Sequence, residues 1–226
     1  MTNHDIKETT SCSRKSRTLS REVGGTFELD VAVLLRKDRF VYTFWRVGMQ
    51  ITSLFHVAIK TARPAATKDF YEKIFGMTEA PRPPFEFPGF WMQLATPYGG
   101  AIFHVYAGHA AEGKDGTVPA GSGAIDHIAL SAHGFVEIRK RCNANRIPYR
   151  ERTVPNLPLC QLFVYDPNGV QFELNFNTGS ESLPKGAIDP NNFPKAGIDW
   201  FNPEDYKHLK GFDAAQQTGA LPNPMK

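Results

Sequence analysis

The amino-acid sequence predicts an α+β fold in which two tandem βαβββ modules form a curved, eight-stranded mixed sheet with the helices outside. Residues 169–176 follow a turn signal and alternate apolar with polar side chains, which is typical of a half-buried strand. The pattern Gly-x-x-Phe, followed by His or Glu, occurs at residues 100–104 and again at residues 169–173. Two copies of one pattern indicate an internal duplication, which predicts a repeated module.

A second matched pair of segments supports the duplication. Residues 54–59 parallel residues 125–130, and each copy carries a histidine at its third position. The offset between the copies is roughly 70 residues, which is enough for one repeated supersecondary unit. Each module therefore begins with a strand that carries an inward histidine and ends with a strand that carries His104 or Glu173.

The first predicted module spans residues 50–108. A strand at residues 52–60 leads to a helix that begins near Pro64, because proline suits the first turn of a helix. The helix ends at Gly76, a residue type that helices favour at their C-termini. Turn residues then separate two further strands, which are predicted at residues 91–95 and 101–106.

The second predicted module spans residues 124–176 and repeats this order. Its first strand carries His127, and its helix carries Cys142, which we expect to be packed in the core rather than reactive. Two strands follow at residues 148–153 and 160–166, and the second of them enters the turn that precedes the last strand.

The flanking segments differ in composition from the modules. Residues 1–48 show no match to the repeat and begin with a stretch rich in Ser, Thr, Lys and Arg, so we expect a disordered, dispensable leader. The central domain is predicted at residues 49–177. Residues 178–226 form a C-terminal extension that is too aromatic for simple disorder. A strap across the domain or across a partner subunit fits its composition, and so does a loose tail.

Composition argues against several classes of protein. At 41% apolar residues the chain can bury a core, and its net charge of +3 is dispersed, without the basic runs that indicate nucleic-acid binding. No apolar run approaches the ~20 residues of a membrane span. The three cysteines form no Cys-x-x-Cys pair, so we expect a reduced, cytoplasmic protein without disulfides or structural zinc.

The equivalent polar positions predict a metal site in the hollow of the curved sheet. Two neutral imidazoles and one carboxylate on one face form a facial triad, which binds a divalent metal and leaves other coordination positions open. The predicted ligands are His56, His127 and Glu173. Because this set contains no thiolate, Fe(II), Mn(II) or another borderline-to-hard ion fits better than a thiolate-bound centre.

These residues resemble the vicinal oxygen chelate superfamily, which includes extradiol ring-cleaving dioxygenases, glyoxalase I, fosfomycin-resistance enzymes and bleomycin-binding proteins. The resemblance covers residues 52–176, including the helix signature Phe-Tyr-Glu-Lys-Ile-Phe-Gly at 70–76 and the turn Asp-Pro-Asn-Gly at 166–169. The extradiol dioxygenase branch is the most similar. It implies Fe(II) as the cofactor, with Mn(II), Ni(II) or Zn(II) as alternatives, and a dihydroxylated aromatic with O2 as substrates.

The resemblance also implies roles for residues outside the metal triad. Ring-cleaving dioxygenases carry a catalytic acid–base histidine at the position of His104, although a role as a fourth ligand is the alternative. Many of them carry a tyrosine where this chain has Phe163, and Tyr165 is a candidate to replace it. Lys60 and Arg152 are further candidates for substrate binding, against the simpler interpretation that both are exposed charges.

Three functions fit this pattern. The first is an Fe(II) dioxygenase, the second a glyoxalase-like metal-dependent isomerase, lyase or thiol transferase, and the third a drug-binding resistance protein without chemistry. The third needs no metal ligands and is ranked last. The expected partners are a small-molecule substrate and O2, with a homodimer as a further expectation and with neither nucleic acid nor membrane.

Overall fold

The computed structural model describes residues 31–36, 39–44, 51–95, 100–181, 183, 186–195 and 197–213. The chain divides into two compact units, Met1–Leu54 and Phe55–Lys226. In the first unit, β1 (Val31–Arg36) and β2 (Arg39–Phe44) form an antiparallel pair. The sequence predicts a disordered leader at residues 1–48, and β1 and β2 lie within that range. Residues 1–30 of the leader lie outside the described residues.

The second unit contains two modules with the same order of elements. The first comprises β3 (Val57–Lys60), α1 (Pro64–Lys73), β4 (Thr78–Ala80), β5 (Gly89–Gln93) and β6 (Ala101–Tyr106). Its strands form a mixed sheet in the order β3-β6-β5-β4, in which β3 is parallel to β6 and the other pairs are antiparallel. A short 3₁₀ helix, Gly108–Ala110, follows β6.

The second module repeats this topology. It comprises β7 (Ile128–Ser131), α2 (Phe135–Ala144), β8 (Tyr149–Thr153), β9 (Leu159–Tyr165) and β10 (Gln171–Asn177). Its strand order is β7-β10-β9-β8, again with the first and last strands parallel. The predicted tandem βαβββ fold is therefore confirmed, and its eight strands divide between two four-stranded sheets. No helix in the described part of the chain is both long and apolar enough to cross a membrane.

The bounds of several elements differ from the prediction, and β5 spans Gly89–Gln93 instead of residues 91–95. The first strand of each module is shorter than expected. His56 therefore lies directly before β3, and His127 lies directly before β7. Strand β4 was not located from the sequence, because its three residues are too few to show an alternating pattern.

Local chemistry explains two of the predicted boundaries. Proline occupies the first turn of α1, where a missing backbone donor costs nothing, and Gly76 has a φ of +67° after the helix ends. In the turn before β10, the Asp166 carboxylate accepts hydrogen bonds from the backbone amides of Asn168 and Val170 at 2.8 and 2.9 Å. Gly169 takes the positive φ of +81° that this turn requires.

The helix-covered faces of the two sheets pack against each other. The ring of Tyr71 on α1 lies 5.3 Å from that of Phe103 on β6 and 6.1 Å from that of Phe172 on β10. Phe103 and Phe172 also contact each other, at 5.4 Å between ring centroids. Because successive strand residues point to opposite faces, the neighbours His104 and Glu173 lie on faces directed away from this core. The fold therefore has two open faces, one per module.

A buried polar cluster joins the modules beside this apolar contact. Tyr71 donates a hydrogen bond to Asp166 Oδ2 at 2.8 Å. Burial, together with the Asp166 carboxyl, raises the pKa of Tyr71, so that the phenol remains a donor. Thr61 donates to Asn168 Oδ1 at 2.6 Å across the same boundary. All four side chains are buried, where an unpaired polar group would be costly.

The C-terminal extension runs along the second module and then contacts α1 of the first. The carboxylate of Glu181 accepts hydrogen bonds from two backbone amides at the start of α2, at 2.8 and 3.0 Å. Farther along, the backbone oxygen of Asn192 accepts a bond from the amide of Glu151 on β8, at 2.8 Å. A 3₁₀ helix, Pro203–Tyr206, follows. Three side chains from its end onwards are buried in the core: Tyr206, Leu209 and Phe212. The described part of the extension is a strap rather than a loose tail.

Candidate functional site

The open face of the first module carries a stack of three aromatic rings. His104 on β6 lies opposite Trp91 on β5, and the two rings stack at 4.0 Å with 9° between their planes. His56 stacks on the same imidazole at 3.9 Å and 16°. His104 is only 8% exposed, so the stack holds a nearly buried imidazole in a fixed orientation.

The electrostatics of this stack favour a neutral His104. Burial is the main cause that lowers the pKa of His104 below its ordinary value, and repulsion from His56 acts in the same direction. The Nδ1 atom of His56 is buried and has no hydrogen-bond partner within the described part of the chain. A buried, unpartnered ring nitrogen fits the role of a metal ligand, because coordination would satisfy that nitrogen.

The open face of the second module carries a histidine–carboxylate pair. His127 Nε2 lies 3.4 Å from Glu173 Oε2, and His127 Nδ1 lies 2.6 Å from Asp126 Oδ1. When Nδ1–H donates to a carboxylate, the lone pair of the imidazole is on Nε2, which is the usual arrangement of a metal-ligating histidine. His127 and Glu173 therefore fit two ligands of one ion, with Asp126 orienting the imidazole.

A row of side chains across the sheet holds Glu173. Asn175 Nδ2 donates to Glu173 Oε1 at 2.8 Å. Gln161 Nε2 donates to Asn175 Oδ1 at 3.0 Å, and Arg152 Nε donates to Gln161 Oε1 at 2.6 Å. The first carboxylate oxygen of Glu173 is thereby engaged, while the second faces His127.

The three predicted metal ligands are not brought together within one chain. Among the residues that the structure describes, no group of three or more His, Cys, Asp or Glu side chains is placed to hold a metal ion. His56 belongs to one open face and the His127–Glu173 pair to the other, and the packing of the helix-covered faces directs them apart. The donor types of the three residues fit a divalent ion, and the triad stays a prediction.

A cavity of about 490 Å³ adjoins the second half of this site. Three of the residues predicted from the sequence line it: His127, Arg152 and Tyr165. Phe163, opposite Glu173 in the β9–β10 pair, contributes an apolar wall. The far wall comes from the C-terminal extension and includes Lys195 and Asp199.

The predicted substrate-binding residues occupy different places. Tyr165 packs edge-on against Trp200 at 4.7 Å. Burial is the main cause that raises the pKa of Tyr165 to about 12, and a hydrogen bond with Asp199 adds to it, so that the phenol stays protonated at neutral pH. Lys60 lies on the first module, where it is exposed and donates to the backbone oxygen of Glu112 at 3.2 Å. Arg152 and Tyr165 thus share a cavity, and Lys60 does not line it.

Several residues of the site were not found from the sequence, among them Asp126, Gln161 and Asn175. Asp126 was available as a signal, because it directly precedes His127 and a neighbouring carboxylate often orients a ligand histidine. Asn175 lies on the same polar face of its strand as Glu173, but its bond to Gln161 depends on the register of β9 against β10. Alternation predicts which face a residue occupies and leaves the opposite residue undetermined.

The fold and the site define a class: duplicated βαβββ domains that carry histidine and carboxylate side chains on open sheet faces. The model of the Glyoxalase/Bleomycin resistance protein/Dioxygenase superfamily matches residues 53–174, more than half of the chain. The chain belongs to this superfamily. The resemblance drawn from the sequence is confirmed at that level, and the C-terminal extension lies beyond the matched region.

Solved structures with low sequence identity are similar to this chain. A mutant of the fosfomycin resistance protein FosX from Listeria monocytogenes, in complex with Mn(II), is 18% identical, with 57% of this chain and 95% of that chain covered and a TM-score of 0.44. A putative glyoxalase family protein from Bacillus anthracis is 20% identical (58% and 99% covered, TM-score 0.44). Lactoylglutathione lyase from Agrobacterium tumefaciens is 17% identical (58% and 98% covered, TM-score 0.42). No curated protein sequence matches the chain.

Proposed function

We propose that this chain is a metal-dependent enzyme and, more specifically, a non-haem Fe(II) ring-cleaving dioxygenase that acts on a dihydroxylated aromatic substrate. The observation that carries the proposal is the position of His104, a nearly buried imidazole stacked directly on the proposed ligand His56. The metal would be held by His56, His127 and Glu173, and it would supply open coordination positions for a bidentate diolate.

His104 is proposed to move protons rather than to bind the metal. A catechol releases protons when its oxygens chelate a cation, and a later step of ring opening needs a proton returned. A neutral imidazole accepts a proton that the catechol releases and, as an imidazolium, returns a proton in the later step. The stack on Trp91 and His56 keeps the ring in place without a hydrogen bond to either of those residues. Since the backbone of Ala101 engages the imidazole, the proposal needs only the other ring nitrogen for exchange with substrate.

We propose that the complete site forms between two copies of the chain. One copy would supply His56 and His104, and the other would supply His127 and Glu173, since the open faces of a single chain point apart. Large apolar side chains are exposed beside both halves: Phe55 next to His56 is 84% exposed, and Ile125 near His127 is 60% exposed. A two-fold pairing would cover these side chains and form two equivalent sites.

The cavity beside His127 is the proposed substrate pocket. Phe163 offers an apolar surface for a ring, and the phenol of Tyr165, whose O–H is bonded to Asp199, presents its oxygen as a hydrogen-bond acceptor nearby. The guanidinium of Arg152 lies 5.2 Å from the centre of the Phe163 ring, where it can accompany an aromatic substrate and neutralise an acidic substituent.

The composition of the pocket also favours a second candidate function. Arg152 and Lys195 place two cations in the lining of a small cavity, alongside the carboxylates of Asp126 and Asp199. A compact substrate with an anionic group would pair with those cations as well as an aromatic one would. A glyoxalase-like isomerase, lyase or thiol transferase with a different divalent metal would use the same ligands. In that case His104 would be expected to coordinate the metal.

Metal analysis with an oxygen-uptake screen tests the proposed chemistry. Protein purified without air is expected to retain Fe(II) and to consume O2 when catechols are added. Activity that requires Ni(II), Mn(II) or Mg(II) and proceeds without O2 uptake would instead support the isomerase, lyase or transferase. His104→Gln is expected to keep the metal and to lose about 10²–10⁴-fold in turnover. Loss of metal from His104→Gln as complete as from His56→Ala would identify His104 as a ligand.

A mixing experiment tests whether two copies build one site. His56→Ala and Glu173→Ala chains are each expected to lose most of their metal, because each variant damages both sites of its own dimer. After denaturation and refolding together, half of the dimers are mixed, and each of these regains one intact site. Metal content should then rise to about a quarter of the wild-type value. A site formed within one chain would regain nothing on mixing.

A further inference from the structure

Three polar residues form a row across neighbouring strands of the second sheet. Arg152 on β8 lies opposite Gln161 on β9, and Gln161 in turn lies opposite Asn175 on β10. Directly opposite residues of antiparallel strands have Cβ atoms about 4.5–5.5 Å apart, so the register of the strands fixes the row. The row ends beside Glu173, which precedes Asn175 by two positions and shares its face of the sheet.

All hydrogen bonds of the row run in one direction. Arg152 donates to the oxygen of Gln161 at 2.6 Å, and the nitrogen of Gln161 donates to the oxygen of Asn175 at 3.0 Å. The nitrogen of Asn175 then donates to Glu173 Oε1 at 2.8 Å. A guanidinium can only donate and a carboxylate can only accept, so the two ends determine the orientation of both amides between them.

We propose that the row Arg152–Gln161–Asn175 is a positioning device that holds Glu173 as a metal ligand. Because Oε1 of Glu173 is bonded to Asn175, its rotation is restricted and Oε2 remains directed at His127 Nε2, 3.4 Å away. A carboxylate fixed in this way loses little further freedom when it binds a cation. This inference rests on the proposed metal site.

The first module lacks an equivalent row among its described residues. By strand register, the positions equivalent to Gln161 and Asn175 hold Gly89 and Tyr106, which carry no amide side chain. Gln93, elsewhere on β5, donates its amide to Thr78 on β4, at 3.3 Å. The position equivalent to Glu173 holds His104, whose orientation comes from ring stacking. The row therefore accompanies the carboxylate rather than the βαβββ topology that both modules share.

The affinity for Mn(II) tests the inference without reference to turnover. Asn175→Leu and Gln161→Met, in the full-length chain, replace each amide by an apolar side chain of similar size. Mn(II) is titrated into metal-free protein, and the free ion is followed by electron paramagnetic resonance. Loss of an outer-shell partner typically weakens metal binding about 10–100-fold, and we expect a loss of this size for Asn175→Leu. Gln93→Met is the matched control and should keep the wild-type Kd.

The double variant separates a connected row from independent contacts. If Gln161 acts through Asn175, then Gln161→Met combined with Asn175→Leu should bind Mn(II) as Asn175→Leu alone does. The resonance spectrum of bound Mn(II) should change in the same variants and remain unchanged in Gln93→Met. Losses that add in the double variant would overturn the inference.

Urea unfolding of the metal-free proteins distinguishes positioning from a general structural role. We expect the Kd for Mn(II) to rise in Asn175→Leu and Gln161→Met. The size of this rise should not follow the change in the urea midpoint of unfolding from one variant to the other. Wild-type affinity in both Asn175→Leu and Gln161→Met overturns the positioning role and leaves the metal site standing. A wild-type chain that binds neither Mn(II) nor Fe(II) overturns the proposed function itself, so the two failures are distinguishable.

Discussion

Replacing Tyr71 by phenylalanine tests how strongly the buried polar cluster joins the two modules. The substitution removes one oxygen and leaves the ring contacts with Phe103 and Phe172 in place. The bond that is lost runs to Asp166 Oδ2, which keeps a 3.0 Å bond from Asn168. Hydrogen bonds to charged groups contribute about 1.5–3 kcal/mol, so we expect the free energy of unfolding to fall by about 2 kcal/mol.

The effect of Tyr71→Phe should depend on pH in a defined direction. Burial raises the pKa of Asp166, whereas the bond from Tyr71 acts against burial and lowers it. The bond therefore stabilises the ionised carboxyl and contributes most at pH values where Asp166 is ionised. The stability difference between wild type and variant should shrink as the pH falls through the pKa of Asp166.

Equilibrium urea unfolding of both proteins at neutral pH supplies the measurement. The m-value should stay constant, because the variant exposes the same surface on unfolding. Tyr106→Phe is the control, since its half-buried side chain makes no hydrogen bond within the described part of the chain. That control should stay within about 0.5 kcal/mol of wild type. An equally small change for Tyr71→Phe would refute the role of the cluster.

Two further predictions concern the extension and the cysteines. Deleting residues 183–226 removes the buried side chains Tyr206, Leu209 and Phe212, each of which contributes about 1.5–3 kcal/mol. Thermal unfolding should therefore occur at a much lower temperature. An unchanged Tm would show that the strap does not stabilise the domain. Burial raises the pKa of Cys142 to about 12 and that of Cys160 to about 11. In a Cys12→Ser variant at pH 8, both thiols should therefore react with a disulfide reagent at least about 100-fold more slowly before denaturation than after it, and rapid native labelling would contradict their burial.

The duplication made most of the fold predictable. Period-2 alternation placed β6 at its observed bounds, and turn chemistry located the helix α1 and the loop before β10. The same repeat identified His56, His104, His127 and Glu173 as residues of the open faces. What the pattern could not provide was the mutual arrangement of the two sheets. The two sheets could pack together through their helix-covered faces or through their polar faces. In both arrangements the alternating apolar residues lie on the helix-covered faces and are buried, so alternation does not distinguish the two.

The finer structure of the site depends on register, which a single sequence specifies weakly. Gln161 and Asn175 read separately as ordinary polar strand residues, and only their opposition across β9 and β10 makes them a connected row. The wall contributed by Lys195 was equally hidden, because the extension has no repeat to compare it with and reaches the cavity by a long path around β8. Long-range contacts of this kind leave no periodic trace in the chain.

The bond between Asn192 and β8 also bears on how the protein avoids self-association through its sheets. The outer strand of a sheet offers unpaired amides and carbonyls to any extended chain and is a common starting point for fibrillar assembly. On β8 the strap occupies these groups, since the backbone oxygen of Asn192 accepts from the amide of Glu151 and its side chain donates to the carbonyl of Tyr149 at 3.1 Å. The corresponding strand of the first module, β4, is three residues long and offers little to copy. The equivalent outer strands of the two sheets are thus protected in different ways: β8 is covered by the strap, and β4 is too short to pair with another chain.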